Sequence, residues 1–373
     1  MRIGFDAKRM FRNNSGLGNY SRSTLELLKK YYPHNSYLLY SAYDKNNVGF
    51  VIPDGVELVT PSGLLGDVAP SLWRSLSMAG DIRRRKVDIY HGLSNELPLD
   101  IRQSGAKSVV TIHDLIFVRY PNLYKKADRM LYAYKYRKSC QIADRIIAIS
   151  RQTKSDLMEF WGVPEEMIDV VYQGCNPIFY KRADRNSIDS VRAKYGLPEE
   201  FILSVGTIEE RKNLMLTVRA MAEGKIDIPL VACGRHTPYA DSIMEYASIH
   251  GIADRIIMLH NVDMNDLPAI YAMASVAVYV SLFEGFGIPI IEALNSGTPM
   301  ITTKGGVFGE TGGDACLYVG PYETDEMIEA LHKVLDNKEL RDKMTDSGYK
   351  WVERFRDSAV AANLLEVYDK VLQ

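Results

Sequence analysis

Cysteine is scarce in this chain, whose 373 residues include four, and no two of them form a CxxC pair. This spacing suggests neither a zinc site nor a disulfide framework and is typical of a reduced, cytosolic protein. No apolar run approaches the roughly 20 residues that a membrane helix needs. Met1 and Arg2 lead directly into a predicted strand rather than into an apolar leader. The sequence therefore predicts a cytoplasmic protein whose contact with a membrane is limited to its surface.

An excess of charge of one sign is also absent, because the net charge is only −2. This value argues against a nucleic-acid-binding protein. The charge is unevenly placed, however. Residues 1–180 contain 25 Lys or Arg and 18 Asp or Glu, whereas the remainder contains 20 and 29. The basic first half favours an acidic acceptor or an anionic membrane face.

Apolar segments of strand length alternate with helical patterns along the whole chain. Many are rich in β-branched residues and end at Gly, Ser or Asp, as buried parallel strands do. The polar stretch 181–190 interrupts the series and is interpreted as a linker. The predicted strands are 2–7, 37–42, 56–60, 88–92, 109–114, 145–150, 169–174, 201–206, 229–234, 256–261, 276–282, 299–303 and 316–320, and predicted helices include 17–30, 72–86, 127–143 and 151–160.

Two such series predict an α/β protein with two doubly wound, Rossmann-like domains. The predicted domains are residues 1–180 and 181–355, followed by a helical segment at 356–373. At 373 residues the chain is long enough for both. Ligands of such sheets bind at the carboxyl ends of the strands, so the loops that follow the strands are the candidate sites.

The most informative segment is residues 281–293, SLFEGFGIPIIEA, which places Glu284 and Glu292 on either side of a glycine turn. Pro289 suits the first position of a helix predicted at 289–296, and the free N–H groups there can bind an anion. Gly285 and Gly287 allow a ligand to approach the backbone closely. The segment thus offers donors for a phosphate and acceptors for hydroxyls, which a nucleotide-sugar carries together. The alternative is an ordinary strand–turn–helix with two solvated glutamates.

This segment resembles the E-x7-E motif of the retaining nucleotide-sugar glycosyltransferases of family four, and the similarity extends from about residue 2 to 371. The resemblance implies the GT-B fold, in which two Rossmann-like domains face each other across a cleft and the last helix packs on the first domain. It also implies that Glu284 holds hydroxyls of the donor sugar and Glu292 accepts hydrogen bonds from the ribose. The backbone of the 285–288 segment, Gly285, Phe286, Gly287 and Ile288, would then line the donor.

A second candidate is the loop after the predicted strand 201–206, which ends at Gly206 and continues to Arg211 and Lys212. Cations at this position would stabilise a departing diphosphate in the transition state. In the resembled family, a Lys at the position of Lys212 binds the donor phosphates. A second cation often stands where this chain has Thr207, so Arg211 is interpreted as its substitute. Asn213 is predicted to cap the next helix. The alternative is a basic surface loop.

In the first half, Gly16 and Gly18 precede the first long helix and could place N–H groups near a phosphate. The pattern is not a complete GxGxxG, and a flexible turn is the alternative. His113 ends a predicted strand. Such a histidine is often structural, but the resemblance places it beside the donor sugar, while Asp114 would orient the loop. The resemblance also places Gly234 and the 260–262 loop, including Val262, near the nucleotide base, although each could equally be scaffold.

The predicted function is that of a retaining hexosyltransferase in cell-surface polysaccharide synthesis. Similarity to mannosyltransferases makes GDP-mannose the first candidate donor, with a UDP-sugar as the alternative, and a saccharide or lipid-linked saccharide the acceptor. No carboxylate nucleophile is evident, which favours front-face attack with the leaving phosphate taking the acceptor proton. No DxD stands at a strand end, so neither a metal nor another cofactor is expected and activity should survive a chelator.

Two basic segments that also contain aromatic and aliphatic residues, 73–86 and 124–139, are candidates for peripheral contact with an anionic inner membrane. The alternative is a solvated basic face over a core.

Three other functions fit parts of the pattern: a nucleotide-sugar epimerase or phosphorylase on the same fold, a dinucleotide-dependent oxidoreductase, and a non-catalytic nucleotide-sugar-binding protein. The incomplete glycine fingerprint argues against the oxidoreductase, and product analysis would separate the others.

Overall fold

The computed structural model describes residues 1–14, 16–42, 48–61 and 70–373. These residues form two compact units. The first consists of Met1–Gln173 together with Asp357–Gln373, and the second of Gly174–Arg356.

The first unit is built on a parallel sheet of seven strands in the order β3-β2-β1-β4-β5-β6-β7. Its inner strands are mostly buried, because helices cover a parallel sheet on its faces. The strand order reverses beside β1, which pairs with β2 on one side and β4 on the other. The strands are β1 (Arg2–Asp6), β2 (Ser36–Tyr40), β3 (Val56–Val59), β4 (Ile89–Gly92), β5 (Lys107–Ile112), β6 (Arg145–Ala148) and β7 (Ile168–Val170).

Eight α-helices accompany this sheet in the described residues. The last of them, formed by the end of the chain, packs against the long helix that follows β1 and against β5. The helices are α1 (Lys8–Arg12), α2 (Gly16–Tyr31), α3 (Pro70–Leu76), α4 (Met78–Arg84), α5 (Ile116–Arg119), α6 (Lys126–Ile142), α7 (Arg151–Trp161) and the C-terminal α16 (Asp357–Leu372).

The second unit has a parallel sheet of six strands in the order β10-β9-β8-β11-β12-β13. Here the order reverses beside β8, which pairs with β9 and β11. Its apolar core is formed by these strands and the helices around them. The strands are β8 (Ile202–Val205), β9 (Leu230–Cys233), β10 (Ile256–Leu259), β11 (Val276–Tyr279), β12 (Met300–Thr303) and β13 (Cys316–Val319); the helices are α8 (Arg185–Tyr195), α9 (Leu214–Glu223), α10 (Pro238–Ile249), α11 (Leu267–Met273), α12 (Ile288–Asn295), α13 (Phe308–Gly312), α14 (Thr324–Leu335) and α15 (Lys338–Trp351).

Every strand predicted from the sequence is present, and the α/β class with two doubly wound parallel sheets is confirmed. The interpretation of 181–190 as a linker was wrong over its second half. Helix α8 begins at Arg185, because the Asp184 side chain accepts a hydrogen bond from the backbone N–H of Ser187. Gly196, with φ of +63°, ends the helix. These are ordinary start and stop signals, obscured by a polar sequence with few apolar residues.

The prediction of one helix over 72–86 was also wrong, because the segment forms the two helices α3 and α4 with a break at Ser77. A residue outside the two helices stabilises this break. Asp100 accepts a hydrogen bond from the backbone N–H of Ala79 at 3.0 Å, which satisfies a donor in the first turn of α4. Among the residues that the structure describes, no helix has both the length and the apolar content needed to cross a membrane.

Candidate active site

The second sheet brings the main predicted site residues together at the point where its strand order reverses. Arg211 and Lys212 follow β8, and Glu284 follows the neighbouring strand β11. Open α/β sheets bind ligands at the carboxyl ends of the strands on either side of such a point. The location of the cluster is therefore a consequence of topology.

Glu284 accepts hydrogen bonds from both cations. Its Oε1 lies 2.7 Å from Nη1 of Arg211 and 2.6 Å from Nζ of Lys212. Arg211 also donates to the Phe283 carbonyl at 2.8 Å and to Glu209 at 2.7 Å. The side chain of Glu284 is 12% exposed and those of the two cations about 20%. The cluster is thus largely buried yet reachable from solvent.

The electrostatics of the cluster favour an ionised carboxylate. Burial alone would raise the pKa of Glu284, but Lys212 and Arg211 outweigh burial and lower it. Burial would lower the pKa of Arg211, but Glu284 and Glu209 raise it instead. For Lys212, burial and the neighbouring Arg211 lower the pKa against the opposing effect of Glu284. Two cations and one carboxylate therefore share a small volume, with Glu209 at its edge.

Tyr279, which sequence reasoning missed, completes this cluster. It ends β11, and its hydroxyl lies 2.6 Å from Nζ of Lys212, which also lies 4.7 Å from the centre of the ring. Burial raises the pKa of Tyr279 well above its ordinary value, so the phenol stays protonated. The available signal was its position: it stands at the carboxyl end of a central strand, five residues before Glu284.

Backbone crowding explains two of the predicted glycines in this region. Gly206 has φ of +142°, which strongly favours glycine. A Cβ on Gly234 would lie 1.8 Å from the carbonyl oxygen of Gly206. The loops that follow β8 and β9 therefore pass each other at contact distance, which any side chain at Gly234 would prevent.

The second glutamate of the motif is held by the next helix. Helix α12 begins at Ile288, one residue earlier than predicted, and Gly287 precedes it with φ of +103°. Glu292 is buried on this helix and accepts a hydrogen bond from the Tyr271 hydroxyl at 3.2 Å. Burial raises its pKa to about 7, although the bond from Tyr271 opposes the rise. Glu292 therefore changes charge near neutral pH.

The remaining residues of the motif have different surroundings. The side chain of Phe286 is buried and packs edge-to-face on Phe355, with ring centres 5.7 Å apart, so only its backbone can face a ligand. Gly285 precedes it and is half-buried. The prediction that Asn213 caps α9 was wrong. Its φ is +56°, and its side chain donates to the carbonyls of Val280 and Pro321 instead.

The predicted base-binding residues lie on neighbouring loops. His260 follows β10, and its Nδ1 donates to the Gly234 carbonyl at 2.8 Å. The rings of His260 and His236 meet edge-to-face, with centres 5.5 Å apart. Val262 is half-buried two residues further on. These contacts join the loops after β9 and β10 but do not by themselves identify a base.

In the first unit, His113 is buried directly after β5. Its Nε2 donates to the Leu93 carbonyl at 2.9 Å, which leaves Nδ1 as an acceptor. Its ring meets that of Tyr20 edge-to-face at 4.7 Å. Burial lowers its pKa to about 4, so the imidazole is neutral at physiological pH. His113 can therefore accept a hydrogen bond from a hydroxyl but does not supply a positive charge.

Asp114 orients the following loop as predicted, because its Oδ1 accepts a hydrogen bond from the backbone N–H of Ile116 at 3.1 Å. Gly16 and Gly18 form the first turn of α2 rather than a loop before it. A Cβ on Gly18 would lie 1.8 Å from the carbonyl oxygen of Asn13, so close chain packing explains this glycine. The helix start still presents backbone N–H groups at Gly16.

Sequence reasoning also missed Arg9, which follows β1 on α1. Its charge lowers the pKa of His113, in addition to the larger effect of burial. The signal was the Lys8–Arg9 pair directly after the first strand. Among the residues that the structure describes, no three His, Cys, Asp or Glu side chains are grouped as a metal site would require.

Two family models match most of the sequence. The model described as "Glycosyl transferases group 1" covers residues 187–351, and the model described as "Glycosyltransferase Family 4" covers residues 16–178. The chain belongs to the group 1 glycosyltransferases. The resemblance found in the sequence is therefore confirmed.

Curated relatives and solved structures agree with this assignment. This glycosyltransferase is 28% identical to the O-antigen chain mannosyltransferase B of Escherichia coli over 74% of the chain and 72% of that relative. It is 27% identical to the O-antigen chain mannosyltransferase RfbU of Salmonella typhimurium over 60% of both proteins, so the match spans less than two thirds of that relative.

Solved structures share the fold over the full length. A glycosyltransferase from Rickettsia africae superposes with a TM-score of 0.78 at 18% identity, covering 100% of this glycosyltransferase and 98% of the other chain. Anabaena HepE in complex with UDP and glucose gives a TM-score of 0.75 at 17% identity, covering 99% and 100%. These likenesses confirm the GT-B fold predicted from the sequence.

Proposed function

We propose that this glycosyltransferase transfers a hexose with retention from a nucleotide-sugar to a saccharide or lipid-linked saccharide during surface-polysaccharide synthesis. The observation that carries the proposal is the cluster of Arg211, Lys212, Glu284 and Tyr279, which lies where the strand order of the second sheet reverses. Its two cations are suited to a leaving diphosphate, and its carboxylate is suited to sugar hydroxyls. A nucleotide-sugar presents these groups next to each other.

Arg211 and Lys212 would act on the bond that breaks. As the glycosidic bond lengthens, negative charge accumulates on the diphosphate, and nearby cations stabilise that charge more than the ground state. Arg211 is held by three acceptors, including Glu284 and the Phe283 carbonyl, so its position is fixed before the donor binds. The backbone N–H groups at Gly287 and Ile288 would add donors at the start of α12.

Glu284 is the carboxylate that contacts both of these cations, and it already accepts two charged hydrogen bonds. Such bonds reduce the nucleophilicity of the carboxylate and favour a role in holding hydroxyls. Front-face attack follows as the preferred route: the acceptor oxygen bonds to the anomeric carbon, the bond to the diphosphate breaks, and a diphosphate oxygen takes the acceptor proton. His113, neutral and with Nδ1 as an acceptor, would bind a donor-sugar hydroxyl.

GDP-mannose is the proposed donor because the curated relatives named above are mannosyltransferases. A UDP-sugar is the alternative, since the structurally similar HepE was solved with UDP and glucose. A nucleotide-binding test separates the two.

Peripheral contact with an anionic membrane is also proposed, because Met130, Leu131 and Tyr134 are exposed on the basic helix α6.

A thermal-shift panel tests the donor site directly. GDP-mannose, UDP-glucose, ADP-glucose, dTDP-glucose and NAD are each added to the wild-type chain, to Lys212→Ala and to Lys333→Ala. Lys333 is an exposed cation on α14 of the same unit and serves as the matched control. A ligand at a hundred times its Kd stabilises the folded state by about 2.7 kcal/mol.

The expected result is a shift with one nucleotide class in the wild type and in Lys333→Ala, but not in Lys212→Ala. A shift with a UDP-sugar alone would mean that the donor is a UDP-sugar rather than GDP-mannose, and it would still support the proposed donor site. A shift with NAD alone, or an equal nucleotide shift in all three proteins, would contradict the proposed donor site.

A further inference from the structure

The charges of the candidate active site cancel in the absence of a ligand. The cations Arg211 and Lys212 are balanced by the carboxylates of Glu284 and Glu209, which form ion pairs with them. A nucleoside diphosphate would bring several further negative charges to this place. Cations attract an anion most strongly where no carboxylate already neutralises them. A diphosphate is therefore bound most tightly when one of the two carboxylates gives up its contact.

Glu209 is the carboxylate whose contact is easier to break. Its side chain is 36% exposed, whereas that of Glu284 is 12% exposed. Among the described residues, the Glu209 carboxylate accepts one hydrogen bond, from Nη2 of Arg211 at 2.7 Å, while Glu284 accepts hydrogen bonds from both cations. Exposed charge pairs contribute little to stability, because water solvates the separated charges well. Breaking the pair of Glu209 and Arg211 therefore costs less than breaking the more buried pairs of Glu284.

The backbone at Glu209 is fixed independently of its side chain. Glu209 has extended backbone angles directly before the single 3₁₀ turn Glu210–Lys212, and its side chain does not cap that turn. Its carbonyl oxygen accepts a hydrogen bond from the backbone N–H of Lys212 at 2.9 Å. The carboxylate of Glu209 can therefore move away without displacing the loop that carries both cations.

Arg211 keeps its position when the contact with Glu209 is lost. Its Nη1 donates to the Phe283 carbonyl at 2.8 Å and to Glu284 at 2.7 Å, whereas Glu209 is bound by Nη2. A guanidinium presents its N–H donors in a rigid planar fork, so the bonds of Nη1 also fix the direction of Nη2. Release of Glu209 thus frees an oriented donor, and a phosphate oxygen can accept from it as the carboxylate did.

The charge of Glu209 acts on Lys212 as well. Burial lowers the pKa of Lys212, and Glu284 and, more weakly, Glu209 oppose that shift. Burial would also lower the pKa of Arg211, but Glu284 and then Glu209 raise it. A diphosphate between these two cations would therefore lie within the field of the Glu209 carboxylate and be repelled by it.

We propose that Glu209 competes with the donor diphosphate for Nη2 of Arg211, and that its return to this position helps to release the nucleoside diphosphate product. The inference rests on the proposed function, because it takes a nucleotide-sugar as the donor. Glu209 acts through Arg211 and does not touch the reacting atoms. Product release limits turnover in many enzymes, so a residue that weakens the product complex favours turnover.

Glu209→Gln tests the proposal, and Glu210→Gln is its matched control. Glu210 is the next residue of the same loop, is exposed, and forms no ion pair with Arg211 or Lys212 among the described residues. Each variant removes one negative charge and keeps the shape of the side chain. Arg211 retains Glu284 in both, so both variants should fold like the wild type, which circular dichroism checks.

Isothermal titration calorimetry with GDP, UDP and inorganic pyrophosphate measures binding to the three proteins. We expect Glu209→Gln to bind the diphosphate about fivefold more tightly than the wild type does, which is the effect of one exposed charge pair. Glu210→Gln should bind it like the wild type. The gain should shrink in about 0.5 M NaCl, which screens exposed charges. Equal or weaker binding by Glu209→Gln, or the same gain in Glu210→Gln, overturns the proposal; weaker binding would mean that Glu209 only holds Arg211 in place.

The choice of ligands separates this inference from the proposed function. Nucleotide binding that Glu209→Gln does not change would contradict the role of Glu209 and leave the donor site supported. Pyrophosphate binding that Glu209→Gln tightens, in a protein that binds no nucleotide, would support competition at Arg211 and contradict the nucleotide-sugar donor. Absence of binding by every one of these ligands to the wild type would contradict both.

Discussion

At the scale of single residues, Glu284 has the largest predicted effect on stability because it forms ion pairs with two partly buried cations, whereas Glu209 pairs with Arg211. Removing one partner of a buried ion pair costs about 3–5 kcal/mol, since the other charge is left without compensation. We predict that Glu284→Ala lowers the free energy of unfolding by roughly this amount. Urea denaturation monitored by circular dichroism measures it.

The double variant Glu284→Ala/Lys212→Ala is the control. Because it removes a cation together with the carboxylate, it should be more stable than the sum of the two single changes predicts, by about 1–3 kcal/mol. Strict additivity would show that the two side chains do not interact. Pyrophosphate should also stabilise Glu284→Ala more than the wild type, since an anion can replace the missing carboxylate.

Glu292 provides a pH-dependent prediction. Burial raises its pKa to about 7 from an ordinary value of 4.5. Ribose hydroxyls would donate to its carboxylate, and an ionised acceptor forms the stronger hydrogen bonds. Donor binding should therefore release a proton below pH 7. We predict that the Kd of the nucleotide-sugar falls by up to about tenfold per pH unit as the pH rises toward 7, and then levels off.

Calorimetric titration in the pH range 5.5–8.5 (about three units) measures this dependence. Glu292→Gln keeps the side-chain shape and removes the ionisation, so its Kd should lack the rise below pH 7. The folded-state pKa is raised, so this group destabilises the fold as pH increases from about 4.5 to 7, and Glu292→Gln should remove that slope too. An identical pH profile for the variant would contradict the assignment.

Glu284 and Glu292 show how much of the candidate site could be predicted from the sequence. The spacing of Glu284 and Glu292 placed both carboxylates on one segment, and the structure adds the groups that set their charge. Tyr271 and Tyr279, the hydroxyl partners of Glu292 and Lys212, come from other elements. Such partners depend on which strands and helices become neighbours. A single sequence does not carry that information.

At the scale of elements, strands were predictable and helix boundaries less so. A buried parallel strand is a continuous apolar run, and every predicted run is a strand. Helix ends depend on individual hydrogen bonds. The break at Ser77 depends on Asp100, which lies 21 residues away from its partner Ala79, and no local pattern could reveal it. Both ends of α8 could have been predicted from the sequence, because the Asp184 cap and Gly196 are local signals.

Helix α6 carries the element-scale prediction. Met130, Leu131 and Tyr134 are 66%, 49% and 64% exposed, whereas an ordinary surface helix exposes polar residues on this face. The surrounding stretch 115–143 contains seven Lys or Arg and one acidic residue, Asp128. Burying a Leu or Met side chain yields about 1.5–3 kcal/mol, and each cation near an anionic surface adds about 1 kcal/mol.

We predict that the chain binds vesicles of phosphatidylglycerol, and that replacing Met130, Leu131 and Tyr134 together by Ser weakens binding at least about tenfold. Flotation of vesicles measures it. The control replaces two exposed apolar residues of the second unit, Ile249 and Tyr322, by Ser. Equal binding by both variants, or no preference for phosphatidylglycerol over phosphatidylcholine, would mean that the apolar face of α6 has another role.

At the scale of the whole molecule, both sheets change strand order beside a central strand, and each has a cluster of polar groups at that place. In the second unit the cluster was predicted, because Arg211, Lys212 and Glu284 are polar residues in loops after apolar strands. In the first unit the cluster of Asp6, Arg74 and Glu96 was not predicted from the sequence, because Asp6 is the last residue of a strand and its partners come from other segments.

Metal independence is the last prediction, and it concerns the chemistry of the complete site. Two fixed cations already stand where the diphosphate would leave, since Arg211 and Lys212 share the carboxylate of Glu284. A divalent ion would perform the same stabilisation of developing charge. We therefore expect hydrolysis or transfer of the nucleotide-sugar to continue at an unchanged rate in EDTA. Loss of turnover in EDTA that Mg²⁺ or Mn²⁺ restores would contradict this. Lys212→Ala provides the complementary test, because its turnover should fall with or without Mg²⁺ if the lysine rather than a metal stabilises the leaving group.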